Sequence, residues 1–149
     1  AGNIGIIKVG AQTEMELKEK RDRVDDAVCA TRAAMEEGIL PGGGVALCTA
    51  ADYLFTKYCE GDRREGLSAA ILYKSLLEPY KQILKNAGME AGSLEEPKGN
   101  MGWDVKVIKY VDMYKAGIIE PTKVTVCALK NAVSVATTIL TTNAIITNK

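Results

Sequence analysis

The chain has no histidine in 149 residues. That absence excludes Ser-His-Asp and Cys-His catalysis and any histidine-ligated metal. Proton chemistry near neutral pH is left to carboxylates, lysine, cysteine or tyrosine. Aromatic residues are scarce, at 5%, so little surface is offered for stacking on bases or sugars. A charge excess is also missing: 19 Lys and Arg balance 19 Asp and Glu, which argues against a nucleic-acid partner. The four cysteines, Cys29, Cys48, Cys59 and Cys127, include no C-x-x-C pair, so no zinc or redox motif is expected. They read as reduced, mostly buried thiols of a reducing compartment.

What is present is globular in composition, with 47% hydrophobic and 26% charged residues, an aliphatic and mainly helical core being expected. The length suits one domain or a piece of a larger one. The first residues, Ala1 to Lys8, carry no initiator Met, basic leader or apolar signal core, and read as a cut inside a longer protein. The longest charge-free stretch, Asn131 to Asn148, is long enough to raise the question of a membrane span. Its Thr and Asn residues favour a buried helix followed by a strand, so no membrane partner is expected.

Periodicity and punctuation divide the chain into elements. Gly5 to Val9 is a short strand candidate. Thr13 caps a helix from Glu14 to Glu37, with Val24, Ala27, Val28, Thr31 and Met35 on one face and Gly38 as its stop. Pro41-Gly42-Gly43-Gly44 opens a second helix whose apolar set is Leu47, Ala51, Leu54, Phe55 and Tyr58. A charged turn, Glu60 to Glu65, leads to a third helix of roughly Gly66 to Ala87, with Leu72, Leu76, Tyr80, Ile83 and Ala87 on one side and a kink expected at Pro79. Met89 to Trp103 reads as loop, Val107 to Ala116 as a short helix, and Glu120-Pro121-Thr122 as the start of a last helix reaching Thr141. Thr142 to Thr147 is a terminal strand candidate. The expected class is mainly α, with short strands near both termini.

Two places can carry chemistry. On the first helix, Cys29, Ala30 and Ala33 form a small-residue face opposite the Val24, Val28 and Met35 stripe, and Asp26 points from it. A partly desolvated carboxylate there can orient a water or accept its proton. The other reading makes Asp26 a solvated acid among Glu19, Arg21, Asp22, Arg23 and Asp25. Gly42-Gly43-Gly44 before a helix lets backbone approach an anion or nucleotide, or is simply a tight loop. It is neither a Walker A motif nor G-x-G-x-x-G. Trp103 reads as a loop anchor.

Taken in order, the blocks Gly5-Ile6-Ile7-Lys8-Val9-Gly10-Ala11, Glu16-Leu17-Lys18-Glu19-Lys20, Arg23-Val24-Asp25-Asp26-Ala27 and Ala30-Thr31-Arg32-Ala33-Ala34 resemble the group I chaperonin family, the GroEL type. So do Gly42-Gly43-Gly44-Val45-Ala46-Leu47, Pro121-Thr122-Lys123-Val124-Thr125 and Thr141-Thr142. The resemblance implies the returning path of a discontinuous subunit. Residues 1–10 would end the apical domain and form a hinge, with Gly2, Gly5 and Gly10 tolerating its swing. Residues 11–37 would be the C-terminal half of the intermediate domain, and 38–149 the C-terminal half of the equatorial ATP-binding domain.

Carried over by position, Asp26 matches the aspartate that positions the attacking water during ATP hydrolysis. Gly42, Gly43 and Gly44 match the loop that touches the nucleotide. Asp104 and Val105 fall where an Asn-Ala pair lies by the adenine, Ile118 matches an apolar contact to the base, and Glu120 falls where an Asp binds the ribose hydroxyls. The resemblance implies ATP and Mg2+ as cofactors. The phosphate loop, the magnesium-binding aspartate and the Gly-Asp-Gly-Thr-Thr segment belong to the N-terminal half, so no metal ligand is assigned here and the chain alone is expected to be inactive as an ATPase. Partners implied are identical subunits in a ring and, through the apical domain, unfolded client proteins and a co-chaperonin. The implied location is the bacterial cytoplasm or an organelle matrix. The chain departs from the family pattern at Trp103-Asp104-Val105-Lys106, at Glu120, at Val126 (commonly Arg), at Asn143 (commonly Glu) and in a short loop before Asn100, which marks a divergent member. A non-catalytic structural or interaction role is the alternative.

Overall fold

The computed structural model describes residues 2, 4–58, 63–90, 92, 94–144 and 146. The elements run α1 (Glu14–Glu37), β1 (Ile39–Pro41), α2 (Val45–Tyr58), α3 (Arg63–Asn86), β2 (Met101–Asp104), β3 (Lys109–Asp112), β4 (Ile119–Pro121) and α4 (Thr122–Leu140). The chain is mainly α, as the sequence implies. The strands differ from expectation: they lie in the interior of the sequence. Residues 5–9 and 142–144 form no strand among the described residues. Residues 145 and 147 of the terminal candidate lie outside the described residues, as do Cys59 and residues 60–62 of the charged turn.

The chain divides into two compact units, residues 1–38 with 121–149, and residues 39–120. In the first, α1 begins where the Thr13 hydroxyl accepts the Glu16 amide at 3.3 Å, and the Glu16 carboxylate accepts the Gln12 amide. This reciprocal arrangement satisfies amides that the helix itself leaves unpaired. The helix ends at Gly38, whose φ of 82° suits glycine and whose N–H donates to the Ala34 carbonyl. No α1 residue is fully buried. Its half-buried side is Val24, Val28, Ala30, Ala33 and Ala34, whereas Ala27 and Thr31 are exposed and Met35 is 83% exposed. The observed seam is therefore rotated toward the small residues.

Helix α4 packs against α1, joined by the Lys123–Glu36 ion pair and by the Thr122 amide donating to the Gly38 carbonyl at 3.1 Å. Glu36 also raises the pKa of Lys123. The expected burial of the last helix is not observed: no α4 residue is buried, and Leu140 is 84% exposed. By length and composition alone α4 could cross a membrane, with a mean hydropathy of 1.3. Cysteine burial also differs from expectation. Cys29, Cys48 and Cys127 are free thiols, and only Cys48 is buried.

Residues 39–120 hold the core. Helices α2 and α3 pack together, and Val45, Cys48, Tyr80, Leu84 and Met113 form the buried centre. On α2 the buried seam is Val45, Cys48 and Ala51, while the expected Phe55 and Tyr58 are exposed and Leu47 and Leu54 half-buried. Helix α3 carries Pro79 inside one continuous helix. The expected short helix at 107–116 is instead an antiparallel hairpin, β2 with β3, in register Met101 to Asp112 and Asp104 to Lys109. Its pairing is explained by Trp103 opposite Tyr110, whose rings meet edge-on at 5.8 Å, a cross-strand aromatic pair that favours sheet over an isolated short helix. The Trp103 indole donates to the Glu95 carbonyl and the Tyr110 hydroxyl to the Glu96 carbonyl, both at 3.0 Å. Trp103 thus anchors the preceding loop, as its sequence context suggests. β1 pairs with β4.

Candidate functional site

The glycine turn is built by close packing. Gly43 and Gly44 have φ of 67° and 80°, a region that L side chains rarely adopt. A Cβ on Gly44 would lie 3.0 Å from the Tyr80 backbone, and one on Gly42 would lie 3.2 Å from Ile118. The Gly42 amide donates to the Ile118 carbonyl at 2.9 Å, and the Ile118 amide donates to the Met113 carbonyl at 2.9 Å. One hydrogen-bonded path therefore fixes the glycine turn against Ile118, though 76 positions separate Gly42 from Ile118 in the sequence (118 − 42). Glu120 follows in β4, half-buried.

The hairpin contributes Asp104 and Val105. Val105 packs on the buried centre. Asp104 is half-buried at the end of β2, and its Oδ1 accepts the Lys106 amide at 2.9 Å. That bond shapes the turn in the manner of an Asx turn and leaves the second carboxylate oxygen for another donor. Asp104 accepts only, whereas an amide at this place would both donate and accept. Sequence reasoning names Gly102 only as part of the Gly102-Trp103-Asp104-Val105 turn, a weak candidate, and misses Met113. A Cβ on Gly102 would fall 2.5 Å from Val45 Cγ2 and 2.7 Å from Met113 Cε, so this glycine lets β2 lie directly over the start of α2. An isolated glycine inside an apolar strand was the available signal.

Six of the eight positions singled out in the sequence thus share the compact unit of residues 39–120 with Ile118 and its hydrogen-bonded turn: Gly42, Gly43, Gly44, Asp104, Val105 and Glu120. Asp26 belongs to the other unit. It sits midway along α1 and is exposed, between the half-buried Val24 and Val28. The partial burial expected from its small-residue face is not observed. Exposure leaves its carboxylate hydrated and acceptor-only.

Ile118 and Val105 are half-buried apolar groups able to cover a planar base, and the carboxylates of Glu120 and Asp104 are acceptors for hydroxyl or amino donors. Among the described residues no group of three His, Cys, Asp or Glu side chains converges to hold a metal.

A mainly helical chain with a glycine turn bound to an apolar residue before its last helix is the class of protein this geometry defines. A model of the TCP-1/cpn60 chaperonin family matches residues 1–149, and the chain belongs to that family. Membership brings the family's general role in protein folding, exercised through subunit assembly and client binding.

Proposed function

We propose that the chain is the part of an ATP-dependent, group I type ring chaperonin that supplies the water-positioning aspartate, Asp26, and the base and ribose side of the nucleotide site. The observation that carries the reading is the Gly42–Ile118 hydrogen bond, which ties the glycine turn to the apolar residue that this reading sets against the base. Val105 and Asp104 would flank the adenine, and Glu120 would accept from the ribose hydroxyls. Asp26, brought to the site by movement of the domains, would hold a water by accepting its hydrogen bond and receive its proton as the water attacks the terminal phosphorus. ATP hydrolysis would supply the free energy for domain rotation in a ring of identical subunits. Magnesium and the phosphate loop are assigned to the N-terminal half of the subunit, with client and co-chaperonin binding assigned to the apical domain.

Glu120 distinguishes this reading from its rival. In the intact subunit, Glu120→Ala should weaken ATP binding by about tenfold, the loss of one or two charge-assisted hydrogen bonds. Calorimetric titration with ATP checks this. Unchanged affinity would remove Glu120 from the ribose site.

The second reading is a structural or interaction module without ATPase function. The exposure of Val124, Val133, Val135, Ile139 and Leu140 along α4 favours it, since apolar residues in such number on one helix mark a surface that is covered by protein. The two readings part at nucleotide affinity, which the module lacks.

A further inference from the structure

Helices α2 and α3, with Gly92, Glu96 and Pro97, line a cavity of about 150 Å³. The volume equals that of about five liquid waters, room for a small organic molecule. Tyr80 lines it and is only 6% exposed, and its hydroxyl has no hydrogen-bond partner among the described residues. Buried polar groups are nearly always paired, so this hydroxyl calls for a ligand that supplies the missing bond. Burial pushes the Tyr80 phenol up to about 12, which keeps it neutral and able to accept as well as donate.

The charges around the cavity select the ligand. Asp52 and Glu96 contribute two carboxylates against one ammonium, Lys81, which also pairs with Glu78 at 3.1 Å. Both carboxylates raise the pKa of Cys48 and of Tyr73, so their negative field reaches the cavity lining. The Tyr73 ring, fixed by contact with Phe55 at 5.1 Å between centroids, adds an electron-rich face that attracts cations. Leu77 and Pro97 are apolar and suit a short hydrocarbon tail. Cys48 is wall and not nucleophile: burial pushes its thiol up to about 12, leaving negligible thiolate near neutrality.

We propose that this cavity binds a small primary alkylammonium ion, its N–H donating to the Tyr80 hydroxyl oxygen, its charge balanced by Asp52 and Glu96, and its tail against Leu77 and Pro97. The cavity includes none of the residues assigned to nucleotide, though Tyr80 backs directly onto Gly44.

The test is a two-dimensional amide NMR titration of the 149-residue chain with n-butylammonium chloride, using n-butanol and sodium butyrate as size-matched controls. Butylammonium should give saturable shifts at the amides of Cys48, Tyr80 and Gly92, with butanol about tenfold weaker and butyrate without effect. The double variant Asp52→Asn, Glu96→Gln should weaken butylammonium by about tenfold or more, and Tyr80→Phe by about fivefold, with helical circular dichroism retained. Added salt must weaken binding to the unaltered chain, a readout that needs no variant. Absence of saturable shifts, a butanol or butyrate response equal to that of butylammonium, salt-independent binding, or undiminished affinity in the folded double variant would each overturn the proposal.

Discussion

Cys48 illustrates how a single side chain sets a condition on stability. Burial, then the Asp52 and Glu96 carboxylates, push its thiol from an ordinary value of 9.0 to about 12, with Lys81 opposing. The folded chain therefore keeps this proton over a range in which the unfolded chain releases it. The stabilisation is complete below pH 9 and is lost progressively as pH rises toward 12. The raised phenol of Tyr80 acts in the same direction from pH 10 upward. Denaturant titrations from pH 8 to 11 should show stability falling with pH, and Cys48→Ala should flatten the fall between pH 9 and 10 while lowering stability at pH 8. An unchanged slope in Cys48→Ala would mean that this thiol is not the group responsible. Gly102 sets a different condition. Gly102→Ala forces a methyl into Val45 and Met113, both fully buried, and should cost about 1–3 kcal/mol of unfolding free energy. A neutral result would show that β2 can lift from α2 without penalty.

At the scale of elements, the helices were legible where their ends are written in local chemistry. Thr13 and Gly38 delimit α1 in the sequence as they do in the structure, because capping depends on residues within one turn. Pro121 and the Gly42-Gly43-Gly44 run mark the starts of α4 and α2 for the same reason. The hairpin of β2 and β3 was not legible. Its stability comes from pairing Trp103 with Tyr110 and from packing Val105 and Val111 on the buried centre, none of which a local period reveals. The rotated seam of α1 and the exposed α4 have a like cause. Burial depends on what an element meets, and the apolar pattern of α4 tells only that some cover suits it. The candidate site divides along the same line. Glycine conformation announced the turn at residues 42–44, but its bond to Ile118 joins positions far apart in the chain, and its contact with Tyr80 depends on how α3 returns.

For the molecule as a whole, family membership over residues 1–149 joins the two compact units into one functional argument. Residues 39–120 hold Asp104, Val105, Ile118 and Glu120, the positions that the proposal sets at the base and ribose. The other unit offers Asp26, exposed on a long helix and free of burial costs. An exposed carboxylate acts on a water only when that water is brought to it, so the proposal places chemistry at the moment the domains close and not in nucleotide binding. Binding and hydrolysis should therefore separate on mutation. The direct measurement is single-turnover ATP hydrolysis by the intact ring-forming subunit carrying Asp26→Ala, with ATP affinity measured in parallel. The account predicts affinity within about twofold of the unaltered subunit and hydrolysis slower by about 10²-fold or more, as expected for loss of a positioned general base. Hydrolysis at the unaltered rate with ATP still bound would contradict it.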